Sequence, residues 1–370
     1  MNVRCDREAL LSALSLAAKI TKGRTPKPAL QCLKLSAQGK HLTVEATDLE
    51  NAVSIRDASV EVNEPGVSCI PAERLVHAVS HLPDDQVVLR SDGEALVVAG
   101  KDGKAKLYGF DPRDFPPSAK LGETTVMLKA GELRRLLELT VFAASTEITR
   151  YAMNGVLFAL VRGKLMLTAT DGKTIAERGV LVPALPAVAF ARCITSLKFA
   201  GTLLSLLVDD DADVELSLGT NESGVRCGGT TLVSRLVEGD YPEYGEVFPK
   251  ETDGMIVVNA RALRASIAAC CGTVAIESRR VTITPGEGRI GLKSFAPEHG
   301  ETETSVAAEI TGKPSSFAIS PDYLSDAAGR AADGEAVRLG TWRSEKVTVS
   351  LASEPDWRCL IACLLMRSEA

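Results

Sequence analysis

Chemistry on a substrate needs a nucleophile and base, a phosphate cradle or a metal-ligand set at fixed spacing, and this chain offers fragments of each. Gly172-Lys173-Thr174 matches the end of a phosphate-binding loop, in which backbone N–H groups wrap the phosphate and a lysine reaches it. The first glycine of that loop falls on Leu167, so the cradle fails. Gly286-x-Gly288-x-x-Gly291 satisfies the dinucleotide fingerprint literally, yet it runs into the strand-like Leu292-Lys293-Ser294-Phe295 and reads as a hairpin turn. Asp209, Asp210, Asp211 and Asp213 gather oxygen donors for a hard cation, but not at the spacing of a calcium loop, and read as a charged tip between strands. The histidines, His41, His77, His81 and His299, sit in no motif with a candidate nucleophile. Nine cysteines run from Cys5 to Cys363 without a C-x-x-C pair, the nearest groupings being Cys270-Cys271 and Cys359/Cys363; they read as small buried hydrophobes. No catalytic residue, metal or cofactor is expected.

Composition narrows the remaining classes. A formal net charge of −6 argues against a general nucleic-acid binder, so any DNA role must come from local charge. With 370 residues and 45% hydrophobic content, two or three packed domains are expected. No run of roughly twenty uncharged apolar residues exists, and Arg4, Asp6, Arg7 and Glu8 leave no apolar signal core, so a cytosolic, membrane-free protein is expected. Asn221-Glu222-Ser223 is then no glycosylation acceptor.

The elements that could position side chains repeat along the chain. Leu42-Thr43-Val44-Glu45-Ala46-Thr47-Asp48 returns as Leu165-Met166-Leu167-Thr168-Ala169-Thr170-Asp171, each an alternating strand closing in an Ala-Thr-Asp turn. Helical stripes share the period: Leu10, Ala13, Leu14, Ala17 and Ala18 after Asp6 as cap; Leu133, Leu136, Leu137 and Val141; and Leu263, Ile267, Cys270 and Cys271 after Asn259 as cap. A second helix per repeat is expected over Pro71 to Leu82, Arg192 to Phe199, and Ser320 to Ala328, the last with Ser320 as cap and Pro321 at the first turn. Strands are expected at Gln86–Arg90, Ala95–Ala99, Val214–Leu218 and Val347–Leu351. Asp114-Phe115-Pro116 recurs as Asp240-Tyr241-Pro242 near each repeat end. The reading is α+β: three units, 1–120, 121–250 and 251–370, each of two helices on antiparallel sheet.

Several segments, in shared order over essentially the full length, resemble the bacterial DNA polymerase III beta subunit family, the sliding clamps. They are Ala46-Thr47-Asp48-Leu49-Glu50, Ile70-Pro71-Ala72 and Asp114-Phe115-Pro116; Thr149-Arg150-Tyr151-Ala152-Met153-Asn154-Gly155-Val156, Ala169-Thr170-Asp171-Gly172-Lys173 and Leu236-Val237-Glu238-Gly239-Asp240-Tyr241-Pro242-Glu243-Tyr244; then Ser320-Pro321-Asp322-Tyr323-Leu324 and Leu364-Leu365-Met366-Arg367. The resemblance implies a DNA-clamp fold and a non-catalytic processivity factor: a head-to-tail homodimer whose six units encircle duplex DNA without sequence preference. Implied partners are the DNA polymerase III alpha subunit, the clamp loader, and other polymerases and repair proteins with clamp-binding motifs, in a bacterial cytoplasm at the nucleoid.

By resemblance, DNA contact falls on Arg24, Arg150, Tyr151 and Arg192, with Arg74 and Lys198 among the basic residues on or beside helices. Lys19, Lys22, Arg134, Arg135, Arg261 and Arg264 join that set, and a basic lining inside an acidic shell would attract phosphate. The partner-peptide pocket maps onto Met153, Thr170, Gly172, Lys173, Thr174, Ile175, Pro242, Val247, Ser320, Tyr323, Leu364, Met366 and Arg367, and the dimer contact onto Leu107, Thr273 and Val274. Family members commonly carry His-Arg where this chain has Lys173-Thr174, and its C-terminus also departs, so its peptide preference is expected to differ. The alternative is a diverged clamp-fold paralogue that binds motif peptides as an interaction hub without tethering a polymerase.

Overall fold

A computed structural model describes residues 1–21, 25–57, 59–117, 120–123, 126–147, 151–182, 190–275 and 279–365. Six α-helices lie among them: α1 (Arg7–Ala18), α2 (Ala72–Ser80), α3 (Ala130–Glu138), α4 (Leu197–Leu206), α5 (Ala260–Cys271) and α6 (Pro321–Ala328). Each is entered from a strand, directly in the first five and through the single residue Ser320 at α6. At that junction a side chain must satisfy the first free N–H groups of the helix. Asp6 accepts from Ala9 N at 2.9 Å, Ser196 from Phe199 N at 3.1 Å and Asn259 from Ala262 N at 3.0 Å. Ser320 holds the cap position of α6, but its side chain makes no capping bond there.

The buried stripes follow helical spacing: Leu10, Leu14 and Ala17 in α1, Leu133, Leu136 and Leu137 in α3, and Leu263, Ile267 and Cys270 in α5. Two expectations are corrected. Val141 lies beyond α3, in a 3-10 turn over Val141–Ala143. The segment from Arg192 to Phe199 is not one helix: Phe190–Ser196 is a strand and α4 starts at Leu197. Cys193, Ile194 and Thr195 are all buried, as suits a covered strand of β-branched character, and the Ser196 cap switches the chain into helix.

The chain packs as two compact units, residues 1–134 with 182–237, and residues 135–181 with 238–370. In the first, α1 packs on α2, and one sheet runs in the order Glu61–Glu64, Asn2–Asp6, Gln86–Asp92, Ala95–Ala99, Lys104–Tyr108. A second sheet runs Val126–Lys129, Asp213–Leu218, Glu222–Cys227, Thr230–Arg235, Asn51–Asp57, His41–Thr47, Cys32–Gln38, Gly66–Pro71. Its middle pairing, Thr230↔Ile55 through Ser234↔Asn51, joins strands of the first and second repeats into one ladder.

In the second unit α5 packs on α6. Its sheet runs Gly155–Val161, Lys164–Thr170, Thr174–Leu181, Trp357–Ala362, Lys346–Leu351, Ala336–Trp342, Gly254–Asn259, Gly300–Gly312, Arg289–Ala296, Val281–Gly286, Phe317–Ile319. Here Thr174↔Ile361 through Arg178↔Trp357 joins the second repeat to the third. The second repeat thus contributes strands to both units.

The weak chemical motifs resolve into turns. Val281–Gly286 and Arg289–Ala296 pair as a hairpin with Gly288 at φ 65°, as expected for the Gly-x-Gly run. The acidic run follows α4 rather than joining two strands, and Arg134 and Lys129 neutralise Asp210 and Asp213 at 2.5 and 2.7 Å. All nine cysteines are free; six are buried, and Cys271 is exposed.

One polar network in the second unit is buried deeply enough to matter for stability. Glu354, 8% exposed, accepts from Arg135 Nε at 2.6 Å and from Arg178 Nε at 2.8 Å, while Arg135 Nη2 also donates to the Arg330 carbonyl at 3.0 Å. Beside it the fully buried Trp357 donates its indole N–H to the Leu139 carbonyl at 2.8 Å. Removing one partner strands the others' charge, a cost of about 3–5 kcal/mol for a fully buried pair. Both guanidiniums here keep partial solvent contact, so Glu354→Ala should cost about 2 kcal/mol. Urea unfolding followed by tryptophan fluorescence checks this; an unchanged midpoint contradicts it.

Candidate functional site

The Ala-Thr-Asp segments fold into the same turn twice, bond for bond. Thr170 Oγ1 accepts from Gly172 N at 3.1 Å and donates to the Thr174 carbonyl at 2.7 Å, while Asp171 Oδ1 accepts from Lys173 N at 2.8 Å and Thr174 N at 2.6 Å. In the first repeat Thr47 Oγ1 accepts from Leu49 N and donates to the Asn51 carbonyl, both at 3.0 Å, and Asp48 Oδ1 accepts from Glu50 N at 3.0 Å and Asn51 N at 2.6 Å. The third turn residue takes positive φ in both, 87° at Gly172 and 76° at Leu49. A leucine in that region carries a steric cost of about 1 kcal/mol, which the four side-chain bonds must over-determine.

The two aspartates use their remaining capacity differently. Asp48, 2% exposed, receives Lys198 Nζ at 2.7 Å, and the same ammonium donates to the Ile20 carbonyl at 2.8 Å. Burial pushes the Asp48 carboxyl up, but Lys198 and the Asn51 and Glu50 amides outweigh it and hold it below the ordinary carboxylate range. Asp171 instead accepts from the Tyr323 phenol, and burial together with that bond pushes Tyr323 up to about 12.

Some of the proposed pocket residues lie around the end of strand Trp357–Ala362. Thr174 and Ile175, both buried, pair with Ile361 and Leu360, and the Lys173 carbonyl accepts from Ala362 N at 2.8 Å. Leu364 N donates to the Ala318 carbonyl at 2.7 Å, which ties the C-terminal segment to the strand leading into Ser320 and α6. Tyr323 reaches the turn from α6 through Asp171. Pro242 and Val247 are held less directly: Tyr241 and Tyr244 hydroxyls meet the Thr168 carbonyl and Oγ1 at 3.3 and 3.0 Å, and Lys346 Nζ donates to the Val247 carbonyl at 3.0 Å. Met153 closes a short 3-10 turn, and its carbonyl accepts from Ser145 N at 3.0 Å. Gly172 and Lys173 are exposed, Met153 and Leu364 half-buried. Met366 and Arg367 lie outside the described residues. The two tyrosine anchors had no role in the sequence reading, although their motif was visible there.

Of the residues assigned to DNA, Arg74 and Arg192 are exposed, on α2 and on strand Phe190–Ser196. Lys198 is held on Asp48, so its charge is already met inside the unit. Arg24, Arg150 and the Tyr151 side chain lie outside the described residues. Arg74 shares a groove of about 440 Å³ with Glu73, His77, Ala78, Ala105 and Leu107, which places it beside a residue assigned to the dimer contact. Thr273 serves within its own unit: its Oγ1 bonds Ser294 Oγ at 2.7 Å and Thr302 Oγ1 at 2.8 Å, fixing the end of α5 to two strands. Val274 next to it is half-buried. Among the described residues no group of three or more His, Cys, Asp or Glu side chains converges.

The Tyr323–Asp171 bond yields a pH prediction. Its raised folded value means the native state keeps a proton that the unfolded chain gives up near pH 10. The contribution to stability is therefore complete below pH 10 and lost as pH rises towards about 12. Phenolate absorbance should show a late-titrating tyrosine that is absent in Tyr323→Phe and moves down in Asp171→Asn. An identical titration in Asp171→Asn contradicts the assignment.

Comparison with known proteins places this geometry in a family. Sequence models of the DNA polymerase III beta subunit match three successive segments: the N-terminal domain over residues 1–119, the central domain over 127–243 and the C-terminal domain over 245–361. A beta sliding clamp from Pseudomonas putida is 30% identical over 331 residues, covering 89% of this chain and 90% of that protein. The crystal structure of the DNA polymerase III subunit beta from Pseudomonas aeruginosa superposes with a TM-score of 0.90 at 27% identity, covering 99% of this chain and 100% of that one. A griselimycin-bound sliding clamp from Bartonella birtlesii gives 0.91 at 26%, with coverage of 99% and 100%. Repeated helix-on-sheet units, the duplicated turn and full-length similarity agree: the chain belongs to the DNA polymerase III beta subunit family, the beta sliding clamps.

Proposed function

We propose that two copies of this chain close head to tail around duplex DNA and that the ring tethers the replicative polymerase to its template. The observation that carries this reading is the strand-into-helix step repeated along the chain, and we take the repeating units as 1–120, 121–250 and 251–370. A unit of that length has a radius of gyration near 14 Å, hence a diameter of about 35 Å. Three in a ring leave a hole about 5 Å wide and six leave about 35 Å, whereas duplex DNA is roughly 20 Å across. One chain is too small to surround DNA; two suffice. Head-to-tail contacts that close on themselves are the interface class a ring needs.

Two open strand edges support a seam. Lys104–Tyr108 ends its sheet with Leu107 half-buried and Tyr108 74% exposed. In Gly300–Gly312 the segment from Gly300 to Ala307 pairs with Arg289–Ala296, while Gly254–Asn259 takes only Ala308 to Gly312, so the first segment keeps one edge open among the described residues. Lys104 and Lys106 lie on the first edge, Glu301 and Glu303 on the second; Lys106 pairs with Asp92 at 2.5 Å and both glutamates with Lys293 at 2.5 and 2.8 Å, exposed pairs worth little that would exchange partners as the edges meet. Opposite charge on two edges favours their antiparallel addition over self-pairing of either. Arg74, in the groove beside Leu107, belongs with this seam, as do Thr273 and Val274 at the end of α5.

Within the ring Arg24, Arg150, Tyr151 and Arg192 contact phosphates. Polymerase III alpha, the clamp loader, and other polymerases and repair proteins insert short apolar-anchored peptides at the 170–175 turn, against Tyr323, Leu364, Met366, Pro242 and Val247. Methionine and leucine side chains with a few polar groups suit such anchors. Lys173, exposed at the rim, with the buried Thr174 beside it, sets the peptide preference.

Loaded by its clamp loader, the protein should stay on nicked circular DNA and run off linear ends; equal retention on both would contradict the topological mechanism. Lys104→Glu with Lys106→Glu should abolish retention on circles, and adding Glu301→Lys with Glu303→Lys should restore it. Retention unaffected by the first pair contradicts the seam.

A further inference from the structure

Two of the buried cysteines meet on one face of a sheet. Where Cys32–Gln38 pairs with Gly66–Pro71, Cys32 stands opposite Pro71 and Lys34 opposite Cys69. Opposed residues share a face and side chains alternate along each strand, so both thiols and the Lys34 stem lie on the same side. The thiols are diagonal neighbours, fully buried and hydrogen-bonded to each other. Phe115 forms one buried cluster with them. It belongs to the connector that follows the 3-10 turn Pro112–Asp114, where Arg113 and Asp114 are exposed, so an aromatic ring on a surface segment roofs the pair.

The two sulfurs are not equivalent. Cys32 Sγ donates to the Pro28 carbonyl at 3.4 Å and also faces the Cys69 sulfur, and both acceptors keep its proton in place. Cys69 is the acceptor of the pair: the Cys32 S–H and the Lys34 ammonium favour its thiolate and lower it, against burial and the Asp114 and Asp111 carboxylates. Lys34 Nζ is held nearby, 5.5 Å from the centroid of the Phe115 ring and 3.1 Å from Glu45. Cys69 is therefore the nucleophile and Cys32 the thiol left to resolve it. A disulfide needs the sulfurs about 2.0 Å apart, closer than two hydrogen-bonded thiols. Both strands have room to close: the ladder on the other side of Cys32–Gln38 begins only at Lys34, and Gly66–Pro71 is the outer strand of its sheet.

We propose that Cys32 and Cys69 are a dithiol pair that hydrogen peroxide oxidises to an intrachain disulfide, the Phe115 ring lifting to admit the oxidant. The Cys69 thiolate attacks one peroxide oxygen and the O–O bond breaks, leaving a sulfenic acid on Cys69 and a hydroxide that takes up the proton Cys69 released. Cys32 then attacks the Cys69 sulfur. The S–S bond forms, the S–O bond breaks, and hydroxide leaves as water with the Cys32 proton. The two sulfurs together lose two electrons, and the peroxide is reduced to two waters. The bond fastens the outer strand to its neighbour at the point where the chain turns into α2. The pair lies within the first compact unit, so its oxidation requires neither ring closure nor DNA.

The reduced full chain, carrying Cys271→Ser to remove an exposed competing thiol, is treated with hydrogen peroxide, quenched with catalase, unfolded in an alkylating reagent and digested without reductant. Mass spectrometry should find the Cys32 and Cys69 peptides joined and lighter by two hydrogen atoms, and separable by dithiothreitol. Cys193, buried in the same unit, should be alkylated, which shows that the chain stayed folded during oxidation. In Cys32→Ser a 1,3-dione should trap sulfenic acid on Cys69, whereas in Cys69→Ser the Cys32 thiol should stay reduced. Cys32→Ala serves where the serine variant loses its circular-dichroism spectrum. Phe115→Ala should speed disulfide formation roughly tenfold by opening the roof. Cys32 and Cys69 both alkylated after peroxide, a bridge from either to another cysteine, or no acceleration in Phe115→Ala overturns the proposal.

Discussion

Main-chain pairing between strands of neighbouring repeats is the interaction on which the rest of this structure depends. Thr230–Arg235 zips onto Asn51–Asp57, and Thr174–Leu181 onto Trp357–Ala362. Because side chains alternate along a strand, a slip of one residue would turn each apolar set away from its core, so register is fixed by burial as well as by hydrogen bonds. The second repeat is consequently divided between two compact units, although its sequence is continuous. A seam between copies would extend the same principle, with open edges of opposite charge in place of a covalent connection.

The duplicated Thr-Asp turn shows how one backbone solution serves two ends. In both copies Thr Oγ1 and Asp Oδ1 satisfy the same four main-chain groups, and the aspartate retains capacity for one more partner. In the first repeat that capacity goes to Lys198, which also takes the Ile20 carbonyl at the end of α1, and the result is a buried tie. In the second it goes to Tyr323, and the turn stays partly exposed at Gly172 and Lys173. An exposed turn thus needs no new fold, only a different neighbour for the same carboxylate.

Much of this was legible in the sequence. The helices with a capping Asp6 or Asn259 and a clear apolar stripe stand where their spacing predicts, and the Gly286-x-Gly288-x-x-Gly291 run is the expected hairpin. Sequence reasoning failed where one local signal was overridden by another a few residues away. Arg192 to Phe199 reads as helix until Ser196 is seen as a cap, and Val141 keeps the helical period although α3 has already ended at Glu138. Contacts between distant positions left no trace in spacing: Glu354 between Arg135 and Arg178, and Lys198 against Asp48, join residues 150 or more apart in sequence. A lysine on a helix looks the same in sequence whether it faces DNA or a buried carboxylate.

In the proposed ring, one chain is too small to surround DNA and two copies close around it. Sedimentation equilibrium of the full-length protein tests it most directly: a species of twice 39.2 kDa is predicted at micromolar concentration, and a mass that stays at 39.2 kDa as concentration rises would contradict it.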